Sequence, residues 1–424
     1  MTKAAASHRR ILFASLVGTS VEFYDFYIYA TAAALVFPDL FFPASEPWIA
    51  QLASYASFSV AFFARPLGGV LFGHFGDRLG RKSTLVASLM LMGISTVLIG
   101  FLPGYALVGV TAPILLCLLR FGQGLGLGGE WGGASLLAVE NAPPGWANRY
   151  GSFPPMGAPV GFIFANGFFL VLGALMDEAT FREWGWRLPF LASAVLVFLG
   201  LWVRLKITET PEYVAATEKE APPAVPIGEL FRTSALATFA GTVGTIACFA
   251  LFYISTVFII GYGTKTLGYD RETFLGIELI AILFMAAGIA VAGISADKRT
   301  ANSVLMLGCL FTVPVGLTMT LMLGPDSLPS VAIWLAFALF VMGFVYGPLG
   351  AWLPSLFPAR VRYTGVSVTF NLGGILGGGL TPLIAAWLVQ QGGLELVGYY
   401  LAGAGMLSLV GCCSCRSAGL QCRI

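Results

Sequence analysis

Long apolar runs alternate with short polar breaks from one end of the chain to the other. The apolar windows lie near residues 11–37, 49–72, 83–102, 111–139, 151–175, 187–205, 235–260, 272–295, 301–322, 331–353, 363–389 and 397–413. Roughly 20 helical residues at 1.5 Å each cross the hydrocarbon core of a bilayer, and a spanning backbone must satisfy its own hydrogen bonds. The pattern therefore predicts an all-α membrane protein with twelve transmembrane helices. The one long polar stretch holds Glu218-Lys219-Glu220 followed by Pro222, Pro223 and Pro226, and reads as a linker. It divides the chain into a first six-helix half over 1–205, a linker over 206–229 and a second six-helix half over 230–424.

Composition agrees and narrows the class. Hydrophobic residues make up 57% of the chain and charged ones 10%, against about a quarter charged in a soluble domain. A soluble enzyme is excluded, and the lipid bilayer is the main solvent. The first run is too long for a signal core and contains acidic residues, so it reads as a membrane helix and not as a cleaved leader. A net charge of +2 gives no ground for a nucleic-acid partner; the placement of the charges says more. All but six of the 23 Lys and Arg residues fall on one side of the alternating spans. The exceptions are Arg182, Arg187, Lys265 and Arg271 on the other side, and Arg65 and Arg120 within spans. Positive charge collects in cytoplasmic loops, which predicts both termini in the cytoplasm and a multi-pass protein of the cytoplasmic (inner) membrane.

Two echoes indicate duplication. Gly73-x-x-Gly76-Asp77-Arg78 after the second span returns as Gly293-x-x-Ala296-Asp297-Lys298 after the eighth. Arg149-Tyr150-Gly151 after the fourth returns as Arg362-Tyr363-x-Gly365 after the tenth. Parallel pseudo-symmetric halves predict matching features at these places.

Ionisable groups inside a bilayer are costly and tend to face a wet cavity or a partner. Span 1 holds Glu22 and Asp25, which a spacing of three puts on one helical side. Two carboxylates close together in a low dielectric hold a proton readily, as proton coupling requires; the plainer reading pairs them with loop arginines. Span 2 holds Arg65 before Pro66, and span 4 holds Arg120 and Glu130. An arginine in a central cavity suits a carboxylate substrate; the plainer reading is an interhelical ion pair, with Arg120 on a span 1 carboxylate. Glu278 is the only carboxylate well inside the second half. Phe23, Tyr24, Tyr27, Tyr29 and Trp131 flank these charges and are candidates to line the cavity. Gly124-x-Gly126-x-x-Gly129 lacks a preceding strand, so it reads as a close helix contact and not as a dinucleotide site. The glycines from Gly373 to Gly379 read the same way. His8 and His74 are the only histidines and Cys412-x-x-Cys415 has no second such pair to complete a metal site, so neither a metal nor another cofactor is expected.

These residues resemble the metabolite:proton symporter family of the major facilitator superfamily. The matching patches are Val21 to Asp25, Arg65 to Gly69, Gly73 to Lys82, Gln123 to Gly133, Trp184 to Pro189, Glu209-Thr-Pro211 and Phe357 to Gly365. The resemblance implies the major facilitator fold, a monomer containing the whole pathway, and alternating access driven by protons. Shikimate-type transporters are the nearest likeness for the first half; other relatives carry dicarboxylates, 2-oxoglutarate, citrate, or proline and betaine. It also implies a gate on the cytoplasmic side, built from Gly73, Gly76, Asp77, Arg78, Gly80, Arg81 and Lys82. Asp77 would cap the start of helix 11, where the helix dipole favours an acid. Arg81, Glu140, Arg149 and Glu209 would complete the latch, with Asp297 and Arg362 as second-half counterparts. The chain departs from the family in lacking Gly-Arg after Asp297-Lys298-Arg299, and in carrying Ser355 where an acid is frequent.

The last span is apolar for roughly 17 residues, near the minimum for crossing, before Cys412-Cys413-Ser414-Cys415 and a tail without family character. A reading-frame change or truncation that replaced the end of helix 12 and the usual cytoplasmic tail is the favoured reading, and a lipidated cysteine cluster the other. The expected activity is import of a small organic acid or zwitterion with protons. A uniporter or exchanger, a non-transporting sensor, and a defective remnant are the alternatives.

Overall fold

The computed structural model describes the backbone of residues 3–79, 81–128, 130–206 and 226–417, and the side chains of 16–72, 86–128, 130–198, 201, 228–359 and 361–415. Twelve long helical elements follow one another: α1 (Lys3–Leu35), α2 (Pro47–Leu79), α3 (Arg81–Ile99), α4 (Thr111–Leu127 and Glu130–Glu140), α5 (Ala147–Leu175) and α6 (Arg187–Lys206). The second half has α7 (Pro226–Tyr253, continuing to Lys265), α8 (Arg271–Lys298), α9 (Ala301–Leu317), α10 (Leu328–Ser355), α11 (Arg362–Gly392) and α12 (Leu394–Ser417). Among the described residues, eight of them are long and apolar enough to span a membrane on that ground alone, and α3, α6 and α9 hold shorter apolar stretches.

Local chemistry sets the helix ends. Asp270 caps α8 by accepting the Thr273 amide at 3.0 Å, and Thr300 with Ser303 forms a capping box at the start of α9. Gly393, at φ +77°, makes the turn that separates α11 from α12.

Within each half, neighbours pack closely because small residues let backbones meet. A Cβ on Gly124 would lie 2.3 Å from the Ala61 carbonyl oxygen, so α4 seats on α2 only with glycine there. A Cβ on Gly377 would lie 2.5 Å from the Ile246 carbonyl, which fixes α11 against α7 in the same way. Between the halves, α5 runs antiparallel along α8, and α2 meets α11. Helices α3 and α6 pack within the first half, α9 and α12 within the second.

Two segments differ from the sequence reading. The polar segment at 73–82, which falls between the second and third apolar windows and would serve there as a short connecting turn, is largely helical: helical backbone continues through Leu79 and resumes at Arg81. Helix α12 spans 24 residues and outruns the apolar run that ended near Cys413. Small side chains carry it further, because Cys412 and Cys415 fit buried on one side and the Cys412 carbonyl accepts Asn302 Nδ2 at 3.3 Å. Residues 418–424, on which much of the tail reading rests, lie outside the described residues.

Candidate functional site

A central cavity lies between the halves, with about 750 Å³ of atom-free space, part of it open to solvent. Helices α1, α2, α4 and α5 line one side, and α7, α10 and α11 the other. The first-half wall carries the charge, Glu22 and Arg65, among Phe23, Phe26, Tyr27 and Trp131. The second-half wall holds no charged side chain; its polar groups are Cys248, Tyr253, Tyr346, Ser367 and Asn371. Trp131 crosses between them, donating its indole N–H to Tyr346 Oη at 3.0 Å and stacking on Phe370 at 3.6 Å. Asn371 donates to the Gly128 carbonyl at 2.9 Å.

Phe26 ties the cavity to the interior of the first half. The Arg65 guanidinium lies 4.5 Å from its ring centroid and the Arg120 guanidinium 4.3 Å. Arg120 is fully buried, with the Tyr29 ring at 4.0 Å and the Phe58 ring at 4.9 Å. Such cation–π contacts hold a guanidinium where water is excluded. Its Nη1 donates to Gln123 Oε1 at 2.9 Å, and Gln123 Nε2 donates to Thr96 Oγ1 at 2.7 Å. Thr96 stands beside Asp25 and donates its own proton to the Met92 carbonyl. Asp25, 1% exposed, takes one hydrogen bond, from Ser193 Oγ at 2.5 Å.

The sequence candidates therefore separate. Glu22 and Arg65 are on the cavity wall, whereas Asp25 and Arg120 lie behind it, linked through Gln123 and Thr96 without a direct ion pair. Glu130 turns to α3 and accepts Ser88 Oγ at 3.3 Å. Glu278 is fully buried on α8, off the wall, and neither of its oxygens has a hydrogen-bond donor. Of the flanking aromatics, Phe23, Tyr27 and Trp131 line the cavity. Tyr24 donates instead to the Pro189 carbonyl, and Tyr29 pairs with Ser57. Tyr253, Tyr346, Phe370 and Asn371 escaped the sequence reading; the signal available was an aromatic or amide among small residues on α7, α10 and α11.

Contacts between the halves lie at both ends of the cavity. At the end rich in Lys and Arg, Arg149 Nε pairs with Asp297 Oδ2 at 2.9 Å, and Asp297 Oδ1 accepts the Asn148 amide at 3.0 Å. Ser152 Oγ reaches the Gly347 carbonyl at 3.1 Å. Asp297 thus does for the start of α5 what the resemblance assigned to Asp77 for helix 11. At the other end, α7 and α11 each contain a π-type turn, Ile254–Phe258 and Ile375–Gly379. A π turn disturbs the regular helical ladder, and two α2 hydroxyls bind there: Tyr55 donates to Val257 O at 3.1 Å and Ser59 to Gly379 O. Outside them Arg271 bridges to Glu178 at 2.9 Å and lies 3.9 Å from the Phe181 ring centroid.

The remaining gate residues are placed only in part. Gly73, Gly76, Asp77 and Arg78 lie on helical backbone at the end of α2, and Arg81 and Lys82 at the start of α3; their side chains, with Gly80 and Glu209, lie outside the described residues. Glu140 is exposed at the end of α4 without an ion pair among the described residues, and Arg362 Nε donates to the Phe357 carbonyl at 3.2 Å. The described residues contain no cluster of His, Cys, Asp and Glu fit for a metal ion.

Two helical halves around a central cavity with buried charges have the architecture of a membrane transporter. The family model described as sugar (and other) transporter matches residues 11–225. The chain is 48% identical over 409 residues to the inner membrane metabolite transport protein YhjE of Escherichia coli K12, covering 95% of this chain and 93% of that one. It is 36% identical to the shikimate transporter of the same organism over 96% of this chain and 94% of that one. Among solved structures, the proton:xylose symporter XylE superposes with a TM-score of 0.72 over 96% of this chain and 95% of that one, at 16% identity, a likeness of fold. The chain belongs to the major facilitator superfamily, in its branch of metabolite transporters. It is a multi-pass membrane transporter and not an enzyme.

Proposed function

We propose that this protein is a proton-coupled symporter that imports a small organic acid or zwitterion across the cytoplasmic membrane by alternating access. The observation that carries the proposal is the division of charge around the cavity. Arg65 offers a guanidinium to a substrate carboxylate on an otherwise largely aromatic wall, with Glu22 on the same wall. A second carboxyl, Asp25, is sealed behind it within the Arg120–Gln123–Thr96 chain. Placing an ionised carboxylate in such a site with one donor is costly, so Asp25 is the proton carrier and Arg65 the substrate anchor. The Lys- and Arg-rich end faces the cytoplasm, both termini are cytoplasmic, and a monomer suffices. In the gate, Asp77 and Arg362 mirror Asp297 and Arg149.

Relatives named as shikimate and as proline/betaine transporters supply the substrate classes to try first. The test is uptake by purified protein in proteoliposomes under an imposed inward proton gradient, with labelled shikimate, 2-oxoglutarate, citrate, proline and betaine. Accumulation of one of them, abolished by a protonophore, is the expected result. Uptake that equilibrates and ignores the protonophore overturns symport in favour of a uniporter.

A further inference from the structure

Glu278 takes no part in the cavity, and its position in the seam between the halves is explained by nothing above. Helices α5 and α8 run antiparallel with a register fixed at two points. A Cβ on Gly173 would meet Glu272 and Arg271, and one on Gly293 would meet Ser152 and Arg149. Counting inward from either point brings Glu278 level with Asn166 and Gly167. Ser152, Pro159, Asn166 and Gly173 recur every seven residues on α5, as do Arg271, Glu278, Met285 and Ala292 on α8, so the two stripes face each other. Asn166 and Glu278 are both fully buried, and Asn166 Nδ2 and both Glu278 oxygens lack hydrogen-bond partners. Asn166 Oδ1 is held by Thr31 at 2.5 Å.

Among the described residues no counter-ion serves Glu278. Helix α5 from Phe153 to Leu175 has no titratable side chain, and α9 has only Cys309. On α10 the titratable group is Tyr346, which accepts from Trp131. The last turns of α7 offer Tyr262, half-buried, and Lys265, exposed. From α2, Tyr55 lies within electrostatic reach, but its hydroxyl proton goes to the Val257 carbonyl. On α8 itself Glu272 is paired with Arg271, and Arg271 also binds Glu178. An ionised carboxylate with neither donor nor cation in so dry a place is strongly disfavoured. Opening the seam between α5 and α8 to water removes that penalty.

We propose that Glu278 is a second proton-binding site, which takes up a proton as the end of the bundle bearing Arg271 closes and releases it as that end opens. The site deepens the symport reading and rests on it for alternating access. The proton enters from solution onto a carboxylate oxygen and leaves by the same route, with no other bond changed. A proton bound in one state and absent in the other makes the closed-to-open ratio fall with rising pH, by up to tenfold per pH unit for one site.

The test uses the full chain in lipid nanodiscs without substrate, its native cysteines replaced and Ala44→Cys and Asp326→Cys spin-labelled on exposed loops of the two halves. Distance distributions across that end are measured as a function of pH. Wild-type side chain at 278 is expected to show the fall in closed population; Glu278→Gln and Glu278→Leu are expected to lose up to tenfold per pH unit of that slope. Asn166→Ala, which disturbs the same seam without removing the acid, keeps it. A slope unchanged in whichever replacement folds overturns the proposal, as does a wild-type ratio independent of pH. Because no substrate or gradient is present, failure of gradient-driven uptake with a slope that depends on Glu278 counts against symport alone.

Discussion

The first half carries Glu22, Asp25, Arg65, Arg120 and Glu130 within α1, α2 and α4, Asp25 and Arg120 buried and the others half-buried, and most of these engage rings, hydroxyls or amides. The second half keeps one carboxylate deep inside, Glu278, and gives it no partner. On the cavity wall the same contrast holds, with charge on α1 and α2 facing tyrosine, amide and phenylalanine on α7, α10 and α11. Pseudo-symmetric halves therefore share a scaffold and divide the chemistry. On the cavity wall the first half presents the charge, while the second shapes and covers the space; Glu278 lies off that wall. In the present arrangement Arg120 needs no carboxylate against it, because three aromatic rings and Gln123 surround it.

The most severe way to break this contrast is at Asp25. Asp25→Asn keeps the shape and the Ser193 contact while removing the titratable group. Accumulation against a gradient should vanish, the internal-to-external ratio falling to about one, while substrate exchange continues. Loss of exchange together with accumulation would show that Asp25 holds the fold and not the proton.

Arg65 comes next. Hydrogen bonds to charged groups are worth about 1.5–3 kcal/mol, so Arg65→Ala should raise KM for a carboxylate substrate about a hundredfold. A neutral analogue lacking the carboxylate should feel little of that change. Equal losses for both substrates would move the anchor elsewhere, with Arg120 as the remaining buried arginine.

Much of this was legible beforehand, and what was not has physical causes. Spans, the duplication and the charges within spans follow from hydropathy and from the cost of charge in lipid, and they point to α1, α2 and α4, which line the cavity. Spacing of three placed Glu22 and Asp25 on one side of α1, yet such residues are about 60° apart around the axis. That angle is enough to send Glu22 to the cavity and Asp25 toward Ser193 on α6. The second-half wall left no pattern, because a helix apolar all round does not show which side faces a cavity; α7 is buried over its whole apolar window. The register that sets Asn166 beside Glu278 depends on where Gly173 and Gly293 admit their neighbours, a tertiary fact.

A smaller effect is expected in the second half. Tyr346→Phe removes the acceptor for the Trp131 indole and leaves that N–H buried without a partner, a cost of about 1–2 kcal/mol. Transport kcat/KM should drop about tenfold while the proton dependence stays as in the wild type. A change in coupling would contradict the division of labour between the two cavity walls, since Tyr346 would then act on the proton and not on the shape of the wall.

The two closing ion pairs give the smallest effects, and their ranking tests whether burial decides them. Asp297 is 4% exposed and also holds the Asn148 amide, whereas Glu178 is 57% exposed and shares its charge with Arg182. Exposed pairs are screened and contribute about 0–1 kcal/mol. Arg149→Gln should therefore shift the equilibrium toward opening at the Lys- and Arg-rich end by about fivefold, near the upper limit of that range. Arg271→Gln should shift opening at the opposite end by about twofold, because Tyr55 and Ser59 still bind the π turns of α7 and α11 there. Accessibility of each end to an impermeant thiol reagent, at a cysteine placed in a flanking loop, reads both shifts. If Arg271→Gln has the larger effect, charge at that end does more than the α2 hydroxyls do, and the seam beside Glu278 is held chiefly from outside.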